Sequence, residues 1–139
     1  MIVVDTNVIA ELMKPEPNDS VRRWSLAQPA VELSTTAITV AEVLYGIERL
    51  PAGRRKDLLR DSAAEVFATF GDHVLAFDAS AAGQYPAIVD GRDRLGRPID
   101  GFDAQIASIC RSRHAALASR NVKDFEHTGI DVIDPWQAR

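Results

Sequence analysis

The chain has 139 residues, 46% apolar and 26% charged, with a formal net charge of −4. That length and balance suit one compact unit with its own core and exclude a disordered or fibrous chain. The acidic balance argues against a protein that grips nucleic acid by bulk positive charge, but leaves room for an acidic site that acts on it.

Ile2 to Asp5 reads as a short buried strand ending on a carboxylate. Val8, Ile9, Leu12 and Met13 follow as a helical stripe, which Pro15 and Pro17 stop. Asn18 and Asp19 can cap a second helix, Ser20 to about Ala27, and Pro29 ends it. AVELST (30–35) reads as a strand with Val31 and Leu33 on one face. TVAEVLYGIERL (39–50) has the spacing of a helix, with Val40, Val43, Leu44 and Ile47 aligned. A longer helix covers 54–70, with Leu59, Ala63, Val66, Phe67 and Phe70 in register. VLAF (74–77) is a third strand, and Asp78 or Ser80 starts the next helix, which fades in the polar loop 90–98. FDAQIASICRSRH (102–114) is a helix, AALAS (115–119) a strand, 120–129 a loop and IDVID (130–134) a last strand.

Strands alternating with helices across short loops predict an α/β fold: a parallel sheet with helices on both faces and right-handed crossovers. No repeat or linker interrupts the pattern, so residues 1–139 are expected to form a single domain. No stretch reaches the roughly 20 apolar residues that span a bilayer, and neither a signal peptide nor an anchor is expected. Cys110 is the single cysteine and has no partner for an internal disulfide, which fits a reducing cytoplasm.

Four acids fall at comparable places. Asp5 ends the first strand, Glu42 lies in the first turn of the helix after the second, Asp103 opens a later helix and Asp124 follows the fourth strand. Ligands of open α/β sheets bind beyond the carboxyl ends of the strands, and all four acids map to that edge. Crowded carboxylates repel, and a divalent cation reverses that cost. Oxygen-only donors suit Mg²⁺ or Mn²⁺, and no Cys/His spacing suggests zinc. Each acid also has a structural reading when taken alone. Asp5 can cap a helix, Glu42 stands at capping-box spacing from Thr39, Asp103 suits a helix N-terminus, and Asp124 can be turn chemistry. The histidines, His73, His114 and His127, are isolated and read as surface or helix-end residues. Short basic groups such as Arg22-Arg23, Arg54-Arg55-Lys56 and Arg92, Arg94, Arg97 read first as solvated surface.

The segments VVDTNVIAEL, TVAEVLYGI, IDGFDAQIASIC and LASRNVKDFEHTGIDVIDPW, in this order, resemble the signature segments of PIN-domain nucleases. The similarity is greatest to the VapC-type and FitB-like toxins of bacterial type II toxin–antitoxin pairs. It implies a PIN-like fold with a five-stranded parallel sheet between helices, and Mg²⁺- or Mn²⁺-dependent cleavage of RNA to a 3′-hydroxyl and a 5′-phosphate. Carried over by motif, Asp5, Glu42, Asp103 and Asp124 are the catalytic and metal-holding acids. Thr6 and Asn7 support the first, and Ser119 and Asn121 line the same site. Ser119 stands where many relatives carry threonine, and Asp100 is an additional acid in a supporting or capping role.

Arg97, Arg120 and Lys123 are candidates to steer the RNA backbone. The resemblance further implies a homodimer and a cognate antitoxin that lays a helix into a groove between the early helices; DNA is then contacted only through the antitoxin. Leu12, Met13, Trp24 and the Leu58–Phe70 helix are the candidate groove, with Trp24 its best exposed contact and Leu59, Val66 and Phe67 read as core. Three rivals remain. An aspartyl-nucleophile phosphohydrolase wants an acid where Asn7 stands. A receiver-like metal-binding module would use Asp78 and Lys123 but lacks an N-terminal acid pair. A catalytically silent PIN fold is the third, although all four acids are present.

Overall fold

Residues 1–138 are described by a computed structural model. Five strands, β1 (Ile2–Val4), β2 (Leu33–Thr36), β3 (Val74–Leu75), β4 (Ala116–Ala118) and β5 (Val132–Ile133), form one parallel sheet in the order β3-β2-β1-β4-β5. The helices are α1 (Thr6–Leu12), α2 (Asp19–Ala27), α3 (Ala37–Glu48), α4 (Arg54–Ala68), α5 (Ala79–Arg94) and α6 (Gly101–Ser112).

Successive strand side chains point to opposite faces, and β1 shows the consequence. Val3 joins a core with Ile88 of α5 and Ile106 and Ile109 of α6. Val4 joins the other, with Val8 and Ile9 of α1, Val21 of α2 and Val43 and Ile47 of α3. Both faces of a parallel sheet are thus covered. The chain lays β2 and β3 to one side of β1, then crosses to place β4 and β5 on the other. The order therefore reverses at β1, and the crevice beyond the ends of β1 and β4 is where such sheets bind ligands.

Several local expectations are corrected. Residues 30–32 do not join β2: after Pro29, Ala30–Glu32 wind a 3-10 turn whose Glu32 pairs with the Met1 amino group at 3.0 Å, and Val31 is 76% exposed. The strand at 74–77 shrinks to Val74–Leu75, because it is an edge strand pairing only with Thr35 and Thr36. Helix α3 starts earlier than expected. Its cap is Thr36, whose hydroxyl accepts the Thr39 amide at 3.0 Å, so Thr39 lies inside the helix and Glu42 in its second turn. Helix α5 does not fade at residue 90 but runs to Arg94. Gly96, at φ +69°, then ends it: Arg97 N–H donates to Arg92 O and Gly96 N–H to Asp93 O, the paired bonds of a Schellman terminus.

Candidate active site

Asp5 is both a helix cap and the centre of a polar network. Its extended backbone (φ −81°, ψ 166°) turns the chain from β1 into α1, and Oδ1 accepts the Thr6 amide at 2.8 Å. A capping carboxylate ordinarily takes the amide two or three residues on. Here Val8 and Ile9 N–H donate to the Asp5 main-chain carbonyl instead, both at 3.1 Å. Oδ2 is left for other partners: the Ser119 hydroxyl donates to it at 2.7 Å and Asn7 Nδ2 lies at 3.5 Å.

Ser119 follows β4 directly and is fully buried. Its oxygen also accepts from Asn7 Nδ2 at 3.2 Å and from the Asn121 amide at 3.1 Å. Asn7 Oδ1 in turn accepts the Arg120 amide at 3.0 Å, so the turns after β1 and β4 are laced together. Asn121 reaches this network through its main chain, while the residue itself is exposed. On the far side, Thr6 Oγ1 donates to Glu42 Oε1 at 3.1 Å. Because Thr36 caps α3, the capping-box reading of Glu42 is withdrawn and its carboxylate faces Thr6.

Asp100 is the cap of α6; its Oδ2 accepts the amides of Phe102 at 3.0 Å and Asp103 at 3.4 Å. Asp103 itself is half-buried in the first turn. Asp124 lies in a 3-10 turn, Val122–Phe125, and is exposed. Burial raises the Asp5 carboxyl above its ordinary range against the Ser119 and Thr6 hydrogen bonds, and Asp124 raises it further. Burial, Asp5 and Asp100 raise Glu42 against the Thr6 bond. Asp103 is pushed up to about 7, first by burial and then by Asp5, Asp100, Asp124 and Glu42. Among the described residues, the charges that raise these three carboxyls are other carboxylates.

The donor set is oxygen throughout, which is the chemistry Mg²⁺ and Mn²⁺ prefer. Among the described residues, no three acids, histidines or cysteines are drawn together so as to hold an ion as they stand. The acids share one neighbourhood without closing into a chelate.

Two of the three candidate basic residues are engaged with other groups. Arg97 pairs with Glu126 at 3.0 Å, and the Arg120 guanidinium stacks 4.9 Å over the Trp136 ring. Lys123 is exposed on the Asp124 turn. Arg92, read as surface, is 5% exposed, because its guanidinium is consumed by main-chain carbonyls. One arginine among the three of a polar stretch gives no sequence signal for that. Asp78, needed by the receiver-like reading, caps α5 through the Ala81 amide at 3.0 Å and faces Arg113 at 3.8 Å. Cys110 is buried, and burial lifts its thiol to about 12. Away from the acids, Leu12, Trp24, Leu26, Leu33, Val66 and Phe70 line an apolar groove of about 420 Å³. Trp24 is half-buried there, and Leu59, Val66 and Phe67 pack partly buried against the core.

Residues 2–130 match the PIN domain family. The chain belongs to that family. It is 37% identical over 138 residues to the VapC ribonuclease Y4jK of Sinorhizobium fredii, covering 99% of each chain. It is 31% identical over 137 residues to toxin FitB of Neisseria gonorrhoeae, covering 98% of this chain and 99% of that one. The solved structure of FitAB bound to a DNA fragment superimposes with a TM-score of 0.92 at 30% identity, covering 100% of this chain and 98% of the other. This PIN-domain chain is thus closely related to the VapC- and FitB-type toxins of type II toxin–antitoxin systems, and its five-stranded parallel sheet flanked by helices is a PIN-like fold. Among the described residues no helix is long and apolar enough to cross a membrane.

Proposed function

We propose that this chain is the ribonuclease toxin of a toxin–antitoxin pair, acting in the cytoplasm as a single domain spanning residues 1–139. The observation that carries the reading is the set of acids beyond β1 and β4, buried or half-buried in part and raising one another's carboxyls. Asp5, Glu42, Asp103 and Asp124 would hold Mg²⁺, with Mn²⁺ as a substitute. When bound, such an ion supplies Lewis-acid polarisation of a phosphate oxygen and lowers the pKa of water.

The chain's own residues do the rest. Ser119, Asn7 and the Thr6 amide keep the Asp5 carboxylate fixed in a buried turn. Thr6 Oγ1 orients Glu42. Glu42 or Asp124 accepts the proton of the attacking water, whose oxygen bonds to phosphorus as the bond to the 3′-oxygen breaks. The 3′-oxygen takes a proton from solvent and leaves as a hydroxyl, and the phosphate stays on the 5′-oxygen of the downstream nucleotide. Asp100 shapes the start of α6 and thereby the approach of Asp103. Arg97, Arg120 and Lys123 contact phosphates of the RNA and set its path.

The related VapC of Sinorhizobium fredii is named a ribonuclease, and the FitAB complex carries DNA. By analogy the cognate antitoxin docks a helix in the Leu12–Trp24–Phe70 groove and reads DNA on behalf of a homodimeric toxin. The test is cleavage of a mixed RNA pool by antitoxin-free protein with Mg²⁺, Mn²⁺ or EDTA, beside Asp5→Asn. Metal-dependent cleavage that the variant loses supports the reading. Metal binding without cleavage of any RNA in the pool returns the chain to a silent PIN fold.

A further inference from the structure

We propose that Arg92 is a positioning residue for the acid site. Its buried guanidinium fixes the spacing between the turn that carries Asp124 and the loop that leads into Asp100 and Asp103. The role rests on the metal-dependent nuclease reading above.

Arg92 lies in the last turn of α5, at the residue whose carbonyl closes the helix end by accepting Arg97 N–H at 3.0 Å. Its side chain then returns over the same loop. Nε donates to Arg97 O at 2.6 Å, while Nη1 donates to Asp124 O at 2.7 Å and Glu126 O at 3.1 Å. Among the described residues no carboxylate pairs with it, although Glu126 pairs with the neighbouring Arg97. A buried cation is costly unless it is hydrogen-bonded, and here main-chain carbonyls take Nε and Nη1.

The choice of carbonyls is what gives the residue a function. They are the carbonyl of Asp124 itself, the one two residues later, and one three residues before Asp100. The intervening carbonyl, Phe125 O, accepts the buried Thr128 hydroxyl at 2.6 Å, and the Phe125 ring is buried in the core. Three consecutive carbonyls of the Asp124 turn are therefore held by side chains. The start of the same turn is tied to the acid network, since Asp124 N–H donates to Asn121 O and Asn121 N–H to Ser119 Oγ. Asp124 is exposed, so its position is set by this scaffold beneath it.

Only arginine suits the task. Its planar fork spans acceptors on two segments, whereas a lysine ammonium is a point and a glutamine lacks the charge. Its side-chain bonds all go to main-chain carbonyls, so Arg92 acts by holding the backbone beneath the acids.

The test uses the full chain with Arg92→Lys and, in case that variant folds poorly, Arg92→Gln. Mn²⁺ affinity is measured for wild type, the Arg92 variant, Asp124→Asn and the double variant. Amide hydrogen exchange is followed in the metal-free proteins. The expected result is a 10- to 100-fold loss of Mn²⁺ affinity in the Arg92 variant, in the range of lost supports around metal ligands. That loss shrinks below about threefold when Asp124 is already asparagine, the non-additivity of groups acting as one unit. Exchange accelerates in residues 121–128 and not in β1 or β4. An equal loss in both backgrounds, or unchanged exchange in 121–128, overturns the proposal. Wild type that binds Mn²⁺ but cleaves no RNA fails the nuclease reading alone, and the affinity cycle still decides Arg92. Wild type that binds no Mn²⁺ overturns both.

Discussion

On the side of the pocket built by β1 and α3, Asp5 and Glu42 are members of one hydrogen-bonded chain running from Glu42 through Thr6 and Asp5 to Ser119. On the side built by α6 and the turn after β4, Asp103 and Asp124 receive no hydrogen bond to their carboxylates among the described residues, and only their backbone is anchored. The first side is preorganised: donors offset part of the cost of burying Asp5. On the second side burial and then like charge act unopposed by hydrogen bonds, and together they push Asp103 up to about 7. A cation would be met by one fixed wall and one yielding wall. That difference explains how acids that influence one another so strongly still stop short of a closed chelate.

Breaking the fixed wall has the largest expected effect. Asp5→Asn should lower RNA cleavage by on the order of 10²- to 10⁴-fold, the loss typical of a positioned catalytic group, measured as single-turnover rate with saturating Mn²⁺. Ser119→Ala, which removes the shorter of two bonds to Asp5 Oδ2 and frees the Asn121 amide, should cost about 10- to 100-fold in metal affinity. Ser119→Thr keeps the hydroxyl and should stay close to wild type; equal losses in the two variants would assign the effect to packing.

The yielding wall is probed by pH. The folded Asp103 carboxyl titrates at about 7 against an ordinary 3.8, so between those values the folded state binds more protons than the unfolded. Metal-free protein should therefore lose stability as pH rises through that window, with the loss complete above about 7. Thermal melts from pH 4 to 8 should show this slope, Asp103→Asn should flatten it, and Mn²⁺ at pH 8 should restore stability. The smallest effect is expected from Thr6→Val, which removes one partly buried hydrogen bond to Glu42 and is worth about 1 kcal/mol. A few-fold change in cleavage rate checks it.

Much of this architecture was legible from the order of residue patterns. Apolar runs alternating with helical stripes gave a parallel sheet, and acids at the ends of those runs followed to one edge. Asp5 and Ser119 meet because their strands are neighbours across the reversal point, which the alternation implies without naming the partner. Boundaries were less legible. Val31 has strand propensity but follows Pro29 and is spent in an exposed turn. Thr36 and Thr39 are equivalent as caps by composition, and only the end of β2 decides between them. Arg92 was illegible for a deeper reason. A buried arginine satisfied by main-chain carbonyls depends on where two loops pass, and side-chain identities do not record that.

Everything proposed for the site requires that these acids enclose one cation. Anomalous diffraction from crystals of the antitoxin-free protein soaked in Mn²⁺ tests it most directly. The expected result is a peak beyond the ends of β1 and β4, contacted by the Asp5 and Asp103 carboxylates, with Asp103 drawn toward Asp5 and the Glu42–Thr6–Asp5–Ser119 chain unchanged. A protein that takes up Mn²⁺ only elsewhere, or not at all, while keeping this fold, would contradict it.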